Sequence, residues 1–135
     1  MAALPDHVGA IEFAYAPHPD GHADPGEIVW TWVPYEDDPS RGKDRPVLVL
    51  GFTDHYLLGV MLSSKDHDLD AEDEERHGRH WLDIGAGAWD SRHRPSEVRV
   101  DRILTLDPAE VRREGAQLDR AMFDDVVAAV RAARG

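Results

Sequence analysis

The stretch that decides the fold runs RPVLVLGF (Arg45–Phe52), TDH (Thr53–His55), YLLGVMLS (Tyr56–Ser63). Two short runs rich in Val and Leu flank a three-residue turn. Each is too short for an ordinary helix and suits a buried strand. Pro46 belongs at the start of its strand, where no ladder donor is needed. Gly59 falls inside the second run, which marks a bulge or bend.

Working outward, EIVWTWV (Glu27–Val33) reads as a strand with two fairly apolar faces, ended by Pro34. A polar loop, PYEDDPSRGKD, joins it to Arg45. Loops of that length are often functional. Beyond Ser63 lies a charged loop from Lys65 to about Gly78, then a short strand from His80 to Ile84. The segment GAGAWDSRHRP is turn-rich, and EVRVDRILTL (Glu97–Leu106) reads as one strand or as two with a bend. Short strands separated by turn signals predict a mainly β small barrel rather than alternating βα units.

The period changes near the C-terminus. Asp107-Pro108-Ala109-Glu110 has the cap, proline and glutamate of a helix start, and Gly115 would end that short helix. Asp119 would cap a second helix over Arg120–Ala133, with Met122, Phe123, Val126, Val127 and Val130 on one apolar face. Upstream, residues 1–25 read as an extension with one possible strand, Ala10–Tyr15, packed on or beside a barrel domain of residues 26–135.

Composition bounds the function. The 135 residues are 41% hydrophobic, enough for one core, and carry a formal charge of −12. That charge argues against loose binding of polyanions, although not against a small basic site. No cysteine is present, which rules out disulfides and thiolate metal ligands. The opening MAALPDHVGAIEF has no basic, apolar leader pattern, and no segment approaches the ~20 apolar residues of a membrane span. A cytoplasmic protein with no membrane contact is expected.

Three polar sets stand at strand ends: Arg45, the pair Ser63-Ser64, and Arg99-Val100-Asp101. Arg99 and Asp101 lie two apart and would share one strand face, with Val98 and Val100 on the other. Spacing alone favours a simple ion pair on that face, because surface ion pairs are common. The acidic run Asp66–Glu75 does not match a calcium loop, because Ala71 and His77 stand where glycine and glutamate are needed. His77, His80 and His93 lack zinc-site spacing. Trp30, Trp32 and Trp81 read as core, while Trp89, beside Arg92 and His93, is a candidate base-stacking side chain.

Taken in order, Pro25-Gly26-Glu27-Ile28-Val29-Trp30, Arg45-Pro46-Val47-Leu48-Val49, Ser63-Ser64 and Arg99-Val100-Asp101 resemble the PemK/MazF family of toxin endoribonucleases, over roughly residues 25–133. The resemblance implies an SH3-like small β-barrel with a C-terminal helix, dimeric, that cuts single-stranded RNA without metal or other cofactor. It also implies a cognate antitoxin protein as partner. Arg99, Asp101 and Arg45 would be catalytic, and Ser63, Ser64 and Lys65 would bind RNA. The chain departs from the pattern in its N-terminal extension and in Glu36, Asp37 and Asp38 of the polar loop. The alternative is a weakly active or inactive SH3-like barrel that binds a peptide or protein, since fold does not fix function.

The chemistry is sound in its own right. RNA brings its own nucleophile, the 2′-hydroxyl. Asp101 would take that proton, Arg99 would stabilise charge on the phosphorane, Arg45 would clamp the phosphate, and the serine hydroxyls would donate to its oxygens. Arg99 is also a candidate acid for the leaving 5′-oxygen, but arginine is a poor acid, which favours the stabilising role.

Overall fold

The computed structural model describes residues 4–16, 23–53, 55–64 and 81–134. Its strands are β1 (Glu12–Phe13), β2 (Glu27–Pro34), β3 (Gly42–Thr53), β4 (Tyr56–Ser64), β5 (Trp81–Gly85), β6 (Ser96–Arg99), β7 (Leu104–Leu106) and β8 (Arg112–Gln117). One helix, α1 (Arg120–Arg134), follows. The sheet runs β5-β6-β4-β3-β2-β8, with β1 added to β3 and β7 to β4, and every pairing is antiparallel. It curls into a half-barrel, so the expected mainly β fold with a C-terminal helix holds.

Hydrophobic runs position the centre. Val47, Leu48, Val49 and Leu50 of β3 and Leu58, Val60 and Leu62 of β4 are fully buried. Successive residues point to opposite faces. Leu48, Leu50, Leu58, Val60 and Leu62 therefore enter one core cluster, which Phe123, Val126, Val127 and Val130 of α1 cover. Val47, Val49, Leu57 and Met61 enter a second with Val29, Val33, Leu104 and Leu106. The helix face predicted from the sequence is the face that is buried. The amide of Met122 donates to the Asp119 carboxylate, which caps the helix as expected.

Glycine is required at two places. Gly26 has φ of 98°, and there its amide bonds Val49 while its carbonyl accepts from Leu118. At Gly51 a Cβ would fall 2.3 Å from the carbonyl oxygen of Glu12, so only glycine lets β1 lie on β3. The irregularity expected at Gly59 is present as a bulge, but the extra residue is Leu50 on the facing strand.

Three regions need correction. The polar loop is shorter than read, because Gly42, Lys43 and Asp44 extend β3 and pair with Pro34, Val33 and Trp32. Pro46 thus lies inside the strand. It is tolerated because β4 joins β3 only from Val47 onward. The first predicted helix shrinks to a 3₁₀ turn, Pro108–Glu110, capped by Asp107 as expected, and the chain then continues as β8. Pairing with the free edge of β2 outweighs a weak local preference for helix. Glu97–Leu106 needs no correction: of its two readings the pair of strands holds, as β6 and β7 with the bend at residues 100–103. The predicted strand Ala10–Tyr15 is trimmed to β1, though Ile11, Phe13 and Tyr15 do pack on the core.

Candidate functional site

The first candidate set forms at the end of β6. Arg99 is its last residue, and Asp101 sits in the bend beyond rather than on the strand. Their side chains still meet: Arg99 Nε donates to Asp101 Oδ1 at 2.7 Å and Arg99 Nη2 to Oδ2 at 3.2 Å. This is the two-pronged arginine–carboxylate geometry. Arg99 Nη2 also donates to Glu36 Oε1 at 2.9 Å, from the polar loop between β2 and β3. The Arg99 side chain is 9% exposed, against 20% for Asp101 and 54% for Glu36. Burial opposes the guanidinium charge, but the carboxylates of Asp101 and Glu36 outweigh it and hold Arg99 above its ordinary value. Arg99 is thus held as a positive charge. Val98 and Val100 point into the core, as the alternation predicts.

The second set lines a cleft of about 140 Å³ where β3 and β4 part. Arg45, Ser63, Trp30, Asp90 and Arg94 are among its walls. Arg94 Nε donates to Asp90 Oδ2 at 2.7 Å, and the Arg92 amide donates to Oδ1 at 2.9 Å. Burial raises the Asp90 carboxyl, yet these bonds prevail and keep it below its ordinary value. Ser63 is buried, 7% exposed, opposite Glu97 of β6.

Register connects the two sets. Val47 faces Met61 and Ser63 faces Glu97, while Arg45 and Val47, Met61 and Ser63, and Glu97 and Arg99 are each two apart. Arg45, Ser63 and Arg99 therefore share one face of the sheet. They do not all line one cleft: Arg45 and Ser63 do, and Arg99 and Asp101 stand outside it. Lys65, the side chain of Ser64, the run Asp66–Glu75, His77 and His80 lie outside the described residues.

The tryptophans exchange the parts assigned to them. Trp89 is 5% exposed, locked by Nε1 donating to Ser96 Oγ at 3.1 Å, so it is core and cannot stack on a base. Trp30, half-buried, donates from Nε1 to the Trp89 carbonyl at 3.0 Å and walls the cleft. The reason is the loop 86–95, which folds back over the sheet. Sequence reading also passed over Asp90 and Arg94, whose spacing of four was the available signal, and Arg102, which follows the Arg-x-Asp directly. Glu36 was noticed only as charge; nothing in sequence ties it to a residue 63 positions away.

Among the described residues no helix is long and apolar enough to cross a membrane. No curated protein matches the chain. Residues 24–133, which hold β2 to α1 and both polar sets, match the PemK-like, MazF-like toxin of type II toxin–antitoxin systems, and the chain belongs to that family.

Proposed function

We propose that this toxin-family chain is a metal-independent endoribonuclease that cuts single-stranded RNA in the cytoplasm. The observation that carries the reading is Arg99, a buried cation gripped in two-pronged fashion by Asp101, on the face that also presents Arg45 and Ser63. The 2′-hydroxyl of RNA attacks the adjacent phosphorus, and its proton passes to Asp101. The bond to the 5′-oxygen breaks as that oxygen takes a proton from water, leaving a 2′,3′-cyclic phosphate and a 5′-hydroxyl, and Asp101 returns its proton to solvent. Arg99, already charged and already desolvated, stabilises the phosphorane without reorganisation. Arg45 and Ser63 hold the phosphate from the cleft, with Ser64 and Lys65 extending that contact. A second copy of the chain and a neutralising antitoxin complete the reading as partners.

The test is purified protein with a long single-stranded RNA in excess chelator. Cleavage to cyclic-phosphate ends is the expected result, and intact RNA after prolonged incubation defeats the proposal. One observation favours the second reading, a barrel that binds a peptide or protein: Arg99 is satisfied by two carboxylates within the chain itself. Intact RNA together with a stable complex with the antitoxin would select it.

A further inference from the structure

The N-terminal segment reaches the site through a buried arginine. Arg102, in the bend next to Asp101, has a side chain only 5% exposed. A buried arginine is costly unless it is paired. Its partner is Asp6, whose Oδ2 accepts from Arg102 Nε at 2.9 Å across 96 positions of sequence. Arg102 Nη2 then donates to the carbonyl of Pro34 at 2.9 Å. Pro34 is the last residue of β2 and the root of the loop that carries Glu36.

That loop is closed on itself by backbone bonds. Tyr35 donates to Arg41, Asp38 to Tyr35, and Arg41 to Asp38. Its orientation is therefore set largely at its root, and Glu36 moves with it. At the other end, the His7 amide donates to the Ile103 carbonyl at 2.8 Å, and Arg134 of α1 donates to the carbonyls of Val8 and Gly9. The stretch just after Asp6 is thus fastened both to the bend before β7 and to α1.

We propose that Asp6 and Arg102 are positioning residues: they brace the β2–β3 loop so that Glu36 rests on Arg99, and they thereby set how readily RNA reaches that cation. The inference rests on the nuclease reading for its kinetic consequence, and on the geometry alone for the brace. Glu36 Oε1 occupies a hydrogen-bond position on Arg99 Nη2 that a phosphate oxygen would need. Substrate and Glu36 compete for it. Loosening the root lowers the fraction of molecules in which Glu36 is seated. A ligand that binds only the unseated form then binds more tightly in proportion.

The experiment compares the full chain with Asp6→Ala and Asp6→Glu. In Asp6→Ala, amide exchange at Tyr35, Asp38 and Arg41 should rise, while that at Val126 and Val130 of α1 stays put. KM for RNA should fall about five-fold, the low end of typical coupling, with kcat held. Asp6→Glu should return both towards the parent. A rise at the loop amides that merely keeps pace with Val126 and Val130, or no rise, overturns the brace and leaves Asp6 a simple stabiliser. Loop exchange that rises as expected while the parent cuts no RNA sustains the brace and removes the nuclease reading instead.

Discussion

Two cationic regions of this molecule sit in opposite surroundings. At the end of β6, Arg99 is buried and held by Asp101 and Glu36. Where β3 and β4 part, Arg94 has a third of its side chain in solvent and Arg45 is half-buried on the wall of an open cleft. A desolvated cation acts through a low dielectric, and one at a rim is reached from solvent but screened. The difference teaches a division of labour. The buried arginine suits charge that develops during a reaction, and the rim suits capture of a phosphate that is charged from the start. It also shows how a chain of charge −12 can still present positive charge locally.

The comparison breaks most sharply at the knot formed by Arg99 and Asp101. Asp101→Ala should slow cleavage roughly 100- to 10,000-fold by removing the base. Arg99→Ala should cost roughly 100- to 1,000-fold. The double variant should lose less than the product, because the two act as one unit. Single-turnover rates measure all three. Arg99→Ala should also lower stability by about 2 kcal/mol in urea unfolding, since charge-assisted bonds are lost from a buried position. Parental rates in folded variants would return the pair to a purely structural role.

In the cleft the expected effects are smaller and fall on binding. Arg45→Ala should lower kcat/KM roughly 10- to 100-fold, the worth of one hydrogen bond to a charged group. A drop in kcat with KM unchanged would place Arg45 with the knot instead. Glu36→Gln sharpens the contrast from the other side. It neutralises an exposed partner of Arg99 and should lower KM roughly two- to five-fold, an effect that salt erodes. A higher KM would mean that the loop assists RNA rather than competing with it.

The smallest expected effect is a pH dependence. Asp90 is held below its ordinary value by Arg94 and the Arg92 amide despite burial. Its folded value is the lower one, so its contribution is complete above about pH 4, near the unfolded value, and is lost as pH falls through the folded value. The melting temperature of Asp90→Asn should therefore fall less steeply than the parent's below that pH. Parallel curves would show that the pair with Arg94 adds no pH-dependent stability.

Local pattern carried the frame of the fold. The alternation in Glu27–Val33, the Val and Leu runs on either side of Thr53–His55 and the apolar stripe of α1 report burial directly, and burial is what a sheet and its covering helix need. Strand β8 was hidden because Arg112–Gln117 has little pattern of its own; it is a strand because β2 offers an edge. The site divides in the same way. Arg99 and Asp101 were legible from spacing, even though a bend rather than a strand joins them. Glu36, Arg102 and the exchange of Trp30 for Trp89 depend on contacts across 59 to 96 positions, which no short window contains.

The fastening of the N-terminal segment sets an order in time. Asp6 waits for Arg102, Tyr15 for the Leu118 carbonyl, which accepts from its hydroxyl at 2.7 Å, and Gly9 for Arg134. Contacts across 96 to 125 positions form late, because the entropy of closing so long a loop must be met before they can reward it. During refolding the N-terminal segment should therefore settle after the sheet, and the root of the loop that carries Glu36 should be the last part of the site to become fixed.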